Sequence, residues 1–150
     1  MKNIVALVDF SDLTHRVVEQ GSQVAKAFQG KLILLHVVPE QPGVVELGLA
    51  SPTVMQPPSP EKIDAHLTRL LALRDTLTSS GVDVVVQQLE GVGVTKVLEQ
   101  CRTLAADLIL LGSHHHSALY QLFVGSFTSD VIKHATCPVM VVPAPLDGKA

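Results

Sequence analysis

The sequence has no tryptophan, one tyrosine and four phenylalanines, so aromatics make up only 3% of its 150 residues. A chain this poor in rings offers no stacking platform for single-stranded nucleic acid. Charge is scarce as well: charged residues are 17% of the chain, where about 25% is usual. Lys and Arg total 11 against 14 Asp and Glu, a formal net charge of −3 with no basic block. The electrostatic footprint of a nucleic-acid binder is therefore missing. The two cysteines, Cys101 and Cys137, make no spaced framework, and nothing points to an oxidising compartment. No apolar run approaches the roughly 18 residues that would span a bilayer, which argues against membrane insertion. Met1-Lys2-Asn3 leads straight into an apolar run, without the small-residue cleavage site of a signal peptide. The expectation is a soluble cytoplasmic protein.

What the chain does have is aliphatic. Apolar residues make up 47%, too many for a disordered segment. A chain of this length can bury roughly 68–70% of its unfolded surface, so it needs no metal or disulfide staple. Residues 1–150 are read as a single domain, with no internal repeat and no linker. Its core must be Val, Leu, Ile and Ala, which suits the doubly buried strands of a parallel sheet.

Periodicity divides the chain. Ile4–Val8 is an apolar run read as a strand, ending at Asp9. Ser11 or Asp12 can cap a helix whose inward residues run from Leu13 to Phe28, with Gly30 expected at its C′ position. Lys31–Val38 is a second strand, stopped by Pro39. Residues 39–59 carry Pro39, Pro42, Pro52, Pro57 and Pro58 and read as a long Pro-rich loop. Ser59-Pro60-Glu61 is a strong helix start, and Gly81 ends that helix. Val82–Leu89 is a third strand, Glu90–Gly93 a turn, and Val94 to Leu104 an amphipathic helix with Cys101 on its apolar face. Leu108–Leu111 is a fourth strand. After a loop from Ser113, Gly125-Ser126 opens a helix with Phe127, Val131 and Ile132 facing inward. Pro138–Val142 is a fifth strand, and residues 143–150 read as a flexible tail. Alternating strands and helices predict an α/β fold, a doubly wound five-stranded parallel sheet of Rossmann-like type in the order 3-2-1-4-5.

Such a sheet binds ligands outside the carboxyl ends of its strands, where the strand order reverses. That places Asp9-Phe10-Ser11 opposite Gly112-Ser113-His114. An acid after a strand can accept hydrogen bonds from ribose hydroxyls, and glycine allows close backbone approach. Asp9 can equally be a plain turn or capping acid. Gly125-Ser126 at a helix start offers unpaired N–H groups to a phosphate. No Lys or Arg lies between Arg102 and Lys133, so an anion here must rely on backbone dipoles, hydroxyls, histidines or a metal ion. For His114-His115-His116 three readings stand: a solvated polar loop, a nucleotide contact, or a metal site. Consecutive residues rarely aim three rings at one ion, so no metal ligand is assigned. His36, inside an apolar strand, reads as a packed and satisfied histidine.

The segments Gly112-Ser113-His114-His115-His116-Ser117-Ala118-Leu119 and Leu122-Phe123-Val124-Gly125-Ser126 resemble the universal stress protein family. The ATP-binding branch of that family carries G-x2-G-x9-G-[ST], and here His115 stands in place of the second glycine. Ile4-Val5-Ala6-Leu7-Val8-Asp9-Phe10-Ser11, Leu34–Val38, Ala106–Ile109 and Ala135–Val139 are similar to further segments of the family, in the same order. The resemblance implies an adenine-nucleotide hydrolase-like fold and a stress-response role as a homodimeric regulatory or switch module. It implies that Asp9 meets the ribose and that Leu7 and Val8 border the base. Val37 would pair with adenine through its backbone, and Gly112 would lie against the sugar. Ser113, His114 and His115 would form the loop beside the nucleotide. Gly125, Ser126 and the amide of Phe127 would receive the phosphates. The ligand would be ATP, ADP or AMP, with Mg²⁺ or Mn²⁺ carried by the phosphates. Dimers would pair through Val139–Val142. The alternative is a nucleotide-free protein-interaction module of the same fold, its pocket closed by His115. No P-loop or nucleophile motif is present, so a dedicated enzyme is not expected, and slow ATP hydrolysis is the most that Asp9 or the histidines would support.

Overall fold

The structure is a computed structural model and describes residues 1–44, 53–113 and 127–145. Strands β1 (Asn3–Val8), β2 (Lys31–Val38), β5 (Asp83–Glu90), β6 (Leu108–Ser113) and β7 (Val139–Pro143) form one sheet. Its order is β5-β2-β1-β6-β7, the predicted 3-2-1-4-5, and every pair in it is parallel. Helices α1 (Thr14–Phe28), α2 (Pro60–Ser79) and α3 (Val94–Thr103) and a fourth helix, α4, over residues 127–134 cover it. Side chains alternate between the two faces of a strand. Accordingly Ile4, Ala6, Leu32 and Leu34 pack with Val17 and Val18 of α1 and Leu70 of α2. Val5, Ile33, Leu35 and Ile109 pack on the other face with Val97, Leu98 and Cys101 of α3 and Val131 of α4. Two cores on one sheet explain why the strands are apolar throughout.

The ends of α1 and α2 show two uses of glycine. Gly81 has φ +81 and closes α2, with Gly81 N–H donating to Thr78 O and Val82 N–H to Leu77 O. At the end of α1 the left-handed residue is Gln29, at φ 51, and not Gly30. Gly30 is there for space. A Cβ on it would lie 2.8 Å from Ile4 Cδ1 and 2.9 Å from the Met1 carbonyl oxygen. Gly30→Ala is therefore expected to cost about 1–3 kcal/mol of stability through overpacking against backbone. Urea unfolding checks this, and a variant as stable as the parent would contradict it.

Three expectations are corrected. The Pro-rich stretch is not simply a loop: β3 (Gln41–Val44) and β4 (Thr53–Gln56) pair antiparallel, with Pro42 opposite Met55. Both strands of a two-stranded ribbon are edges, where a proline without an N–H is tolerated. Phe28 and Ile132 do not face inward; each is 54% exposed. Val131 takes the inward position of α4 and is fully buried, which turns its neighbour away on a helix. The C-terminal stretch is held as far as Ala144, which is buried and whose N–H donates to Ser113 O at 3.0 Å. Residues 146–150 of the expected tail lie outside the described residues.

Candidate functional site

β1 ends at Val8, and the chain turns sharply before α1. Phe10 has φ 58, a left-handed conformation that costs a bulky L residue roughly 1–2 kcal/mol. The turn is held by Asp9. Its Oδ1 accepts from the Ser11 N–H at 3.0 Å, from Ser11 Oγ at 2.6 Å and from Thr14 Oγ1 at 3.3 Å. Ser11 Oγ in turn accepts from the Leu13 N–H at 3.3 Å. The helix N-cap is Leu13, with no side-chain cap of its own. Asp9 thus organises the turn where Ser11 or Asp12 was expected to cap.

On the α3–α4 face a cavity of about 610 Å³ opens at the carboxyl ends of the strands. That size suits a small-molecule site. Leu7, Val8, Asp9, Val37, Gly112 and Phe127 all line it. It lies where the order reverses, since β1 is flanked by β2 on one side and β6 on the other. Ser113 is the last residue of β6 and does not line the cavity. His114, His115, Gly125 and Ser126 lie outside the described residues.

Sequence reasoning missed part of the wall. Gly91, Val92 and Gly93, read only as a turn, line the cavity where α3 begins. Gly91 has φ +54, and Gly93 is the N-cap of α3 with no side-chain cap. Glu40 and Met55 also line it, Met55 coming from the ribbon that local pattern could not reveal. Leu35, Val97 and Leu111 form the apolar floor, and Thr128 adds a hydroxyl. Gly112 has a second duty: a Cβ there would lie 3.1 Å from Leu13 Cδ1 on the opposite face. Its lack of a side chain lets α1 approach β6.

That opposite face carries a polar cluster. His36 is 2% exposed and its Nδ1 lies 2.6 Å from Val8 O, while its Nε2 lies 2.7 Å from His66 Nδ1 on α2. Both ring nitrogens are satisfied, as expected for His36; the partner His66 was not foreseen. The Phe10 ring sits 4.5 Å from the His36 ring and 5.5 Å from that of His66. The Arg69 guanidinium lies 4.0 Å above the Phe10 ring, a cation–π contact. Burial pushes both histidines below the ordinary value of 6.5. Burial also lifts the Cys101 thiol to about 11 and raises Cys137, so both stay protonated and unreactive at neutral pH. Among the described residues no group of three or more His, Cys, Asp or Glu could hold a metal ion.

The model of the universal stress protein family matches residues 1–143. The chain belongs to the universal stress protein family. A universal stress protein of Methanocaldococcus jannaschii is 29% identical over 144 residues, which cover 96% of this chain and 83% of that protein. Solved structures of the family share the fold. A universal stress protein in complex with cAMP superposes with a TM-score of 0.69 at 20% identity, covering 95% of this chain and 96% of the other. One from Archaeoglobus fulgidus in complex with dAMP gives 0.65 at 19% identity, covering 94% and 96%. No helix among the described residues of this universal stress protein is long and apolar enough to cross a membrane.

Proposed function

We propose that this universal stress protein binds an adenine nucleotide, ATP or AMP, in the cavity between β1 and β6, and that it works as a homodimeric regulatory module in the cytoplasm. The observation that carries the reading is the convergence of Leu7, Val8, Asp9, Val37, Gly112 and Phe127 on that one cavity. The chemistry of the lining fits. The apolar floor of Leu35, Val97 and Leu111, with Leu7 beside it, suits a purine face. The Val37 backbone offers the base a hydrogen-bonding edge, and the Asp9 carboxylate suits the ribose diol. Phosphates would reach toward Gly125, Ser126 and the Phe127 amide, assisted by Ser113, His114 and His115. Mg²⁺ or Mn²⁺ would travel with the phosphates, since the described residues supply no cage. The two relatives crystallised with cAMP and dAMP lend weight to an adenine nucleotide. Pairing of two copies along Val139–Val142 is supported by the place of β7 at the edge of the sheet.

The test is the small molecule that the protein carries. Denaturing the purified protein is expected to release an adenine nucleotide. ATP added at about 100 times its Kd should stabilise the fold by about 2.7 kcal/mol. Absence of both released nucleotide and thermal shift at millimolar ATP would refute the reading in favour of a nucleotide-free interaction module.

A further inference from the structure

The His36–His66 contact sits on the face away from the cavity, yet it grips the turn that carries Asp9. Val8 O can only accept, so His36 Nδ1 carries a hydrogen across 2.6 Å. In the neutral pair His36 Nε2 is then the acceptor, and His66 Nδ1–H donates across 2.7 Å. One added proton is accommodated, because His36 can donate from Nε2 to an unprotonated His66 Nδ1, or His66 can take the proton on Nε2. A second proton sets N–H against N–H at that distance, and the contact must open.

The surroundings decide when this happens. From the β1–α1 turn, Asp9 favours the charged form of His36. From α2, Lys62 opposes charge on His66, and Arg69 opposes it on both rings. From β5, Gln88 is the register neighbour of His36, is neutral, and donates from Nε2 to Ile63 O. Burial is the largest influence on each ring and also opposes charge. The unfolded chain thus takes up protons before the folded one does. The stability gained by burying two neutral rings is present above pH 6.5 and is lost as pH falls through their lowered folded values.

Asp9 lies between the two residues that the pair holds. Val8 is held by the hydrogen bond from His36, and Phe10, at φ 58, is held by ring contacts to both histidines. We propose that His36 and His66 are positioning residues that form a pH-sensitive latch on the β1–α1 turn, keeping Asp9 at the cavity when closed and lowering nucleotide affinity when both rings are charged. The effect on affinity rests on the nucleotide reading above; the latch itself does not.

Two measurements separate these. In the nucleotide-free protein, NMR from pH 8 to 5 follows the histidine rings and the Asp9, Phe10 and Ser11 amides. The amides are expected to shift with the second ring protonation, at a midpoint below 6.5. In His66→Asn, which keeps a neutral donor in the place of Nδ1, the amide shift should shrink severalfold. Two charged rings with the amides unmoved, or a pair that holds a single charge down to pH 5, would overturn the latch, and the unmodified protein decides this even if the variant fails to fold. The second measurement is ATP affinity, which should fall roughly tenfold across the second ring protonation in the unmodified protein. In His66→Asn it should fall less than about twofold beyond what the nucleotide's own titration causes in both proteins. An equal fall in the two proteins would overturn the regulatory effect. If neither binds ATP at any pH, the nucleotide reading fails, and the amide titration alone still rules on the latch.

Discussion

Asp9→Ala is expected to weaken ATP binding by roughly 10- to 100-fold, about 1.4–2.8 kcal/mol. The size follows from what the carboxylate does on both sides of the turn. On the cavity side the variant would lose charge-assisted hydrogen bonding to the ribose, for which a net value of about 1.5–3 kcal/mol is usual. On the protein side it would leave Ser11 N–H, Ser11 Oγ and Thr14 Oγ1 without their common acceptor. Because Asp9 is exposed, water can replace it there, and the stability loss should be only about 1 kcal/mol. Asp9→Asn keeps an acceptor for the turn and removes the charge. It should be near the parent in stability and intermediate in affinity. Calorimetric titration with ATP together with urea unfolding reads both quantities. An Asp9→Ala protein that binds ATP as tightly as the parent would leave this acid with its turn role alone.

Leu34→Ala is expected to lower the unfolding free energy by about 3–5 kcal/mol, the range for deleting a well-packed buried leucine. Leu34 has no exposed surface and lies on β2, between β1 and β5. Its register neighbours are Ala6 and Val86, and its face is covered by α1 and α2. A void there is walled by backbone that is hydrogen-bonded on both sides, so collapse is limited and the cavity cost adds to the lost transfer energy. Melting temperature should fall by roughly 10 °C, given about 2–4 °C per kcal/mol for a chain of this size. Val54→Ala, 43% exposed on the ribbon, should change stability by less than about 0.5 kcal/mol. Equal losses in the two variants would mean that the sheet core is not where stability resides. Chemical denaturation with an unchanged m-value is the cleanest measure.

The sequence by itself determined the sheet, its order and the helices that cover it. Those features rest on local apolar runs and on glycine and proline punctuation, as at Ser59-Pro60, where Ser59 does accept from the Lys62 N–H, and at Gly81, which is left-handed. Asp9 and Gly112 were legible as candidate site residues because a doubly wound sheet puts strand ends at its crossover; Val37 was legible only through the family resemblance. Only the tertiary structure decided the rest. The β3–β4 ribbon joins residues from Gln41 to Gln56 by antiparallel pairing, and non-local pairing leaves no local period; it brings Met55 to the cavity. Gly30 was legible as a glycine, but only the approach of the Met1 carbonyl tells that space, and not dihedral angle, requires it. His66 looks like one more polar position on an amphipathic helix. It meets His36 because α2 packs over β2 and β5, which brings together rings 30 residues apart. Sequence pattern encodes which face of an element is apolar; which polar atoms meet across two elements depends on distances that only packing sets.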